Sequence, residues 1–244
     1  MNNWKEIWGK RSADKDILSG GDEKKIFMEL KRSNGFDVYA DGPEYEEWIR
    51  QYKQIKRELT FNKNEGNYVL SSVFEVGCGC GANLYLFERD GIRCGGLDFS
   101  EGLIKSAKEV LASEDLTCDE AVNMETDVMY DVVISNGVFS YFTDEAYALS
   151  VLEKMYKKAK YSIGLTHIHD VSKKEAWISY RKKTIEDYEE RYENLPKLFY
   201  SKEFFLDFAS AHGMDIKFAF PDVEKYWNND FVFNCYMYKY ADRE

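Results

Sequence analysis

The segment Glu75-Val76-Gly77-Cys78-Gly79-Cys80-Gly81-Ala82 places three glycines at alternate positions directly after a short apolar run, Val73 to Val76. Glycine permits the backbone angles of a sharp turn and lets a ligand come within contact distance of main-chain N–H groups. Asp98 closes the next apolar run, Ile92 to Leu97. A carboxylate at that point of a strand–turn–helix unit can hold both hydroxyls of a ribose. Glu75, two residues before the first glycine, can help hold a positively charged amino group. A second group of reactive side chains, His167, His169 and Asp170, follows the run that starts at Tyr161. It contains two of the three histidines in the chain, and histidine titrates near neutral pH. Alternate residues of a strand share a face, so His167 and His169 share one if the strand runs that far, with Asp170 on the turn. His167 then serves as a base, or as a hydrogen-bonding guide for an acceptor, with Asp170 orienting it. The same three residues also read as an ordinary polar loop, or as a His-x-His-Asp set for a divalent ion, for which no further ligand is evident.

The elements that must position these residues alternate. Strands are expected at Val73–Val76, Ile92–Leu97, near 116–122, at Asp131–Ser135 and from Tyr161 to about His167. Helices run between them through Leu84 and Phe87, from the cap Ser100 through Leu111, and over about Asp144–Lys158. The unbroken apolar stretch in Asp131-Val132-Val133-Ile134-Ser135 suits a strand buried on both faces. Strand–helix alternation implies a parallel, doubly wound sheet with ligands at the carboxyl ends of its strands. Ser201 caps a helix through Phe208, and Met214–Phe220 and Phe231–Tyr240 follow with no helix between them, so they pair antiparallel. Residues 1–60 read as a helical cap. Trp4, Ile7 and Trp8 form a one-sided stripe, Asp22 caps a second helix that Asn34-Gly35 ends, and Pro43 falls in the first turn of a third. Residues 171–200 read as a charged helical insertion over the sheet's edge. The division is thus 1–60 as cap or lid and 61–244 as the main domain.

The 244 residues suit one α/β domain with decoration. A formal net charge of −11 disfavours nucleic acid and anionic membrane surfaces, which require basic protein. Five cysteines, an odd number without zinc spacing, read as reduced thiols in a cytoplasmic protein. Met1-Asn2-Asn3-Trp4-Lys5 holds no apolar signal core, and no apolar run approaches the roughly 20 residues of a membrane helix.

Gly77, Gly79, Ala82 and Asp98 also satisfy a dinucleotide fingerprint. Three features point elsewhere. Glu75 would repel a pyrophosphate; the run Asp131–Phe139 (DVVISNGVF) resembles the fourth-strand motif of methyltransferases; and the helix with two final strands matches the antiparallel ending of that fold. With the motifs FEVGCGCGA, GLDFS, DEAVNM and YDVVISNGVF, residues 71–240 resemble a class I S-adenosylmethionine-dependent methyltransferase, closest to small-molecule enzymes of bacterial type. The resemblance implies a Rossmann-like, seven-stranded sheet, mostly parallel with an antiparallel last strand. It implies S-adenosyl-L-methionine as cofactor and S-adenosyl-L-homocysteine as product. The acceptor is an oxygen or nitrogen of a small molecule, in surface-polysaccharide or secondary-metabolite biosynthesis.

By the same resemblance Gly77, Gly79 and Gly81 pass the backbone around the methionine part, with a main-chain contact at Cys78. Asp98 binds the ribose and Phe99 packs on the adenine. Glu120 and Ala121 reach the adenine amino group, with the neighbouring Asp119 as an alternative. The backbone at Asn136 lines the site near the sulfonium, and Tyr141 faces the substrate, unless it only packs beside Phe139 and Phe142. Trp4, Trp8 and Arg11 are expected at the core or surface, with a place over the cofactor as the alternative. A nicotinamide-dependent oxidoreductase and a non-catalytic binding module are the competing functions, and the oligomeric state is open.

Overall fold

The computed structural model describes residues 4–36, 42–60 and 68–240. Met1, Asn2 and Asn3 of the amino-terminal stretch, and the expected division after residue 60, lie against or outside those bounds. Five strands alternate with helices: β1 (Ser72–Val76), β2 (Arg93–Asp98), β3 (Leu116–Cys118), β4 (Tyr130–Asn136) and β5 (Ala159–His169). Two more, β6 (Asp215–Ala219) and β7 (Val232–Tyr238), complete one seven-stranded sheet in the order β3-β2-β1-β4-β5-β7-β6. β1 to β5 are mutually parallel, and β7 lies antiparallel between β5 and β6. This is the doubly wound, Rossmann-like sheet with an antiparallel last strand. β3 stops at Cys118 rather than near Val122, because Ala121–Asn123 turns into a single 3-10 turn.

The period-two alternation of the strands divides the core. Val73, Val132 and Ile134 face one apolar cluster, and Phe74, Val76 and Val133 face the other. Glu75 and Asn136 therefore share the first face. Against it pack α3 (Glu23–Lys31), α4 (Tyr45–Leu59), α5 (Ala82–Arg89) and α6 (Glu101–Val110). The opposite face carries α7 (Glu145–Lys158) and α10 (Lys202–Ala211). Ser100, Ser201 and Asp22 cap their helices as their positions suggest, each accepting from a main-chain N–H three residues on. Pro43 stands before the first turn of α4, since Glu44 is the cap and exchanges hydrogen bonds with Glu47 in a capping box.

The remaining elements gather at the carboxyl ends of the strands. α1 (Trp4–Gly9) and α2 (Lys15–Ser19) lie against α6. The insertion forms α8 (Lys174–Thr184) and, after a break, α9 (Tyr188–Tyr192). No helix among the described residues is long and apolar enough to cross a membrane.

Candidate active site

A cavity of about 520 Å³ opens over the carboxyl ends of β1, β2, β4 and β5. One end is the glycine turn. Gly77 and Gly79 have φ of +72° and +56°, and a Cβ on either would meet Val138 at 2.4 Å or Asn34 Oδ1 at 2.2 Å, so only glycine fits. Asn34, from the wide turn after α3, accepts from the Cys80 N–H at 2.9 Å and so ties the amino-terminal helices to this turn. Asp98 accepts from the N–H groups of Gly79 (2.9 Å) and Ser100 (2.8 Å). Burial pushes its carboxyl above the usual range while those two donors pull it back. Phe99, Asp119, Glu120 and Ala121 line the same end, and Glu120 is held by Lys5 and by the Tyr147 hydroxyl at 3.3 Å.

Beneath the turn, Glu75 and Lys31 form a buried couple. Asn83 donates to Glu75 Oε1 at 2.6 Å, and Oε2 has no hydrogen-bond partner. Burial raises the Glu75 carboxyl to about 8, offset by Asn83 and by Lys31, and lowers the Lys31 ammonium to about 8. An orphaned carboxylate oxygen at the cavity wall fits an ammonium ligand, and glycines without room for a Cβ fit close main-chain approach. Two residues expected at the cofactor do not line the cavity. The Gly81 Cβ position faces Leu111, and Gly81 serves as the left-handed cap of α5. Cys78 spends its N–H on Leu97 O and its carbonyl on Gly81 N–H, so neither residue lines the cavity.

His167 sits at the middle, and its placement depends on a bulge. β5 pairs with β7 at Leu165↔Cys235 and resumes at Ile168↔Phe233, so Thr166 and His167 both oppose Asn234. His167 takes φ +56°, a left-handed backbone uncommon outside glycine. The fully buried Asn234 satisfies the bulge by accepting the His167 N–H at 3.0 Å. The extra residue turns His167 and His169 onto the face of Glu75 and Asn136, while Ile168 returns to the opposite cluster. Asn136 Oδ1 takes the Thr166 hydroxyl at 2.7 Å and His167 Nδ1 at 2.9 Å, so Nδ1 carries the proton. Gln51 of α4 then donates to Nε2 at 3.3 Å. Desolvation lowers the His167 pKa to about 3, with a smaller push from Lys31. A neutral imidazole accepts hydrogen bonds here and takes up a proton poorly.

Asp170 does not orient His167. Its carboxylate caps the turn Val171–Lys173, accepting from the Ser172 N–H (2.8 Å) and hydroxyl (2.7 Å), and it is outside the cavity lining. The orienting groups are Asn136 and Gln51. No group of three His, Cys, Asp or Glu that could hold a metal occurs among the described residues.

The far end is aromatic and basic. Tyr141 lies edge-on to Trp4 (4.9 Å) and Trp8 (5.5 Å), and burial raises its hydroxyl to about 12. Trp4, Trp8 and Arg11 all line the cavity rather than only the core or surface. Arg181 of α8 stands over the rings of Trp177, Tyr188, Tyr192 and Trp227, 5.1–5.8 Å from their centroids. Lys197 places its ammonium 4.2 Å over Tyr141 and 5.4 Å over Trp4. The Trp4 indole N–H donates to Pro196 O at 2.8 Å, pinning α1 to the segment that carries Lys197. Arg181, Lys197 and the Trp177 wall carried no sequence signal. The charged run around Arg181 reads as a solvated helix, and Lys197 is one lysine among many.

A model of the methyltransferase domain matches residues 74–161. The malonyl-[acyl-carrier protein] O-methyltransferase of Bacillus cytotoxicus is 28% identical over 121 residues, 46% of this chain and 41% of that protein, so the match spans less than half of the relative's length. Among solved structures, the plantazolicin methyltransferase in complex with S-adenosylhomocysteine superposes with a TM-score of 0.61 at 17% identity, covering 97% of each chain. The magnesium protoporphyrin IX methyltransferase from Synechocystis, also with bound S-adenosylhomocysteine, gives 0.57 at 16% identity, covering 90% of this chain and all of that one.

Proposed function

We propose that the chain is a class I S-adenosylmethionine-dependent methyltransferase, a reading that its partial domain match and its fold support, and that it methylates an oxygen or nitrogen of a small molecule enclosed in the cavity. The observation that carries this reading is that one continuous cavity joins the glycine turn and Asp98 to His167 and the aromatic wall. Bound S-adenosylmethionine supplies a sulfonium methyl group for in-line displacement by the acceptor.

Each part of the cavity has a task in that reaction. Asp98, already fixed by two main-chain donors, holds the ribose hydroxyls. Glu75 receives the ammonium of the methionine part on its orphaned oxygen, and Lys31 beside it receives the carboxylate. Phe99, Ala121 and the Asp119–Glu120 pair border the adenine. Asn136, the last residue of β4, stands between cofactor and acceptor. His167, kept neutral with Nδ1–H on Asn136, offers Nε2 to the acceptor's hydroxyl or amine in place of Gln51 and so aligns it. Tyr141 and the tryptophans exclude water from the transfer. The helices before residue 60 and the segment 171–200 act as the cover, because Trp4, Trp8, Trp177 and Arg181 complete the wall. The neighbours named for small natural-product substrates support a role in small-molecule or secondary metabolism, with surface polysaccharide as the other setting.

Calorimetric titration with S-adenosylmethionine, S-adenosylhomocysteine and NAD, with Asp98→Ala as control, tests the reading. Micromolar binding of the two sulfur compounds, lost in the variant, is the expected result. Binding of NAD alone would replace the reading with that of an oxidoreductase.

A further inference from the structure

Rings line the cavity from His167 outward. Tyr226 meets His167 edge to face at 5.3 Å, Trp227 lies 6.2 Å from Tyr226, and Trp177 lies 6.5 Å from Trp227. Tyr141, with Trp4 and Trp8 against it, adds a second part of the wall. Two of these planes are held in place, since the Trp177 indole N–H donates to Asn228 Oδ1 at 3.0 Å and that of Trp4 to Pro196 O. Fixed planes favour a flat guest, because an aromatic ring gains stacked and edge-on contacts that a puckered ring does not. Ring walls also recognise cations, but here the protein supplies its own. Lys197 stands over Tyr141 and Trp4, and Arg181 over Trp177 and Trp227.

Lys197 is set rigidly into this wall. Before it, Pro196 O holds Trp4; after it, the Leu198 N–H donates to Ser140 O at 2.8 Å. Its side chain makes no hydrogen bond and no ion pair among the described residues, and touches only ring faces. Desolvation, with a smaller push from Arg181, lowers its ammonium to about 7, so charged and neutral forms both occur near neutral pH. Each form has N–H groups to donate. His169, 4% exposed, lines the same end between Trp177 (5.5 Å) and Phe199 (5.2 Å), and its Nδ1 has no partner. A donor left unpaired inside a cavity is costly until a ligand atom answers it, and an oxygen answers Lys197 in either form.

We infer that the methyl acceptor carries a flat aromatic ring seated along Tyr141, Trp177 and Trp227, with an oxygen at its far edge that accepts a hydrogen bond from Lys197. This rests on the methyltransferase reading and adds the substrate class to it. The group to be methylated stands at the near edge of the ring, by His167 and Asn136, where Tyr226 begins the wall. Ring and oxygen are separate requirements. The fixed planes select the first and Lys197 selects the second, so each can be removed from a ligand alone.

The test uses the protein saturated with S-adenosylhomocysteine and three probes of similar size: para-hydroxyacetophenone, para-ethylphenol, which lacks the carbonyl oxygen, and the cyclohexane analogue of the first, which lacks the aromatic ring. Calorimetry should show saturable binding of para-hydroxyacetophenone, about tenfold or more tighter than para-ethylphenol, the size expected for a hydrogen bond from an amine or ammonium donor. It should also bind about tenfold tighter than the cyclohexane analogue, through the lost ring contacts. Lys197→Met should bring para-hydroxyacetophenone and para-ethylphenol within about threefold of each other and leave the preference for the aromatic ring, whereas Lys197→Arg should keep both preferences. Both variants should bind S-adenosylhomocysteine with unchanged affinity, which shows that they fold. The inference is overturned by a cyclohexane analogue or a para-ethylphenol that binds as tightly as para-hydroxyacetophenone, by no saturable binding of para-hydroxyacetophenone up to about 10 mM, or by a Lys197→Met protein that keeps the preference for the carbonyl. Failure of the wild-type protein to bind S-adenosylhomocysteine falls on the methyltransferase reading, whereas its binding without these preferences falls on this inference alone.

Discussion

The two ends of the cavity are built by different means. The glycine-turn end is made from main chain and strand termini. Asp98 is fixed by two N–H groups, and Gly77 and Gly79 are shaped by backbone angles that other residues resist. Apart from Lys31 and Asn34, its named groups come from one stretch, from β1 to the turn after β3. The basic end is made from side chains carried by separate segments. Tyr141 comes from the turn after β4, His169 from beyond the bulge of β5, Arg181 from α8 and Lys197 from the strap after Pro196. The first suits a ligand whose recognition depends on backbone geometry, and the second suits one chosen by charge and shape. An acceptor can thus change by exchange of a few side chains, with the cofactor end left alone.

If that division holds, substitutions at one end leave the other's ligand untouched. The largest effect should come from Gly77→Ala. Its φ of +72° and a Cβ 2.4 Å from Val138 should cost about 3 kcal/mol of stability, combining left-handed strain with overpacking. S-adenosylhomocysteine binding should be lost, seen by calorimetry alongside a fall in Tm. Asp98→Asn keeps the shape but removes the charge that the two N–H groups face. S-adenosylhomocysteine should bind about 10- to 100-fold more weakly in the same titration.

The smallest effect should be at His167. His167→Gln should lower kcat by about tenfold or less, as expected for an aligning hydrogen bond rather than a base. No limb of the rate profile near pH 6.5 should disappear with it, because His167 titrates near 3. A lost limb would restore the general-base role.

The sequence by itself determined the alternation of strands and helices along the chain, the glycine turn, Asp98 as the acid after β2, the helix caps at Ser100 and Ser201, and the antiparallel ending. Each is local, since hydrophobic period, turn chemistry and capping act within a few residues. Phe99, Glu120, Ala121 and Asn136 reach the cavity for the same reason, as they follow directly from strand ends. What only the tertiary structure decided depends on contacts distant in the chain. The partner of His167 is Asn136 rather than Asp170, because one residue inserted opposite Asn234 rotates the strand's end, and no period records a bulge before the pairing exists. Lys197 and Arg181 come together at one end of the cavity from separate segments, a helix and the stretch after Pro196. A sequence gives every charge, but only the folded chain says which of them meet.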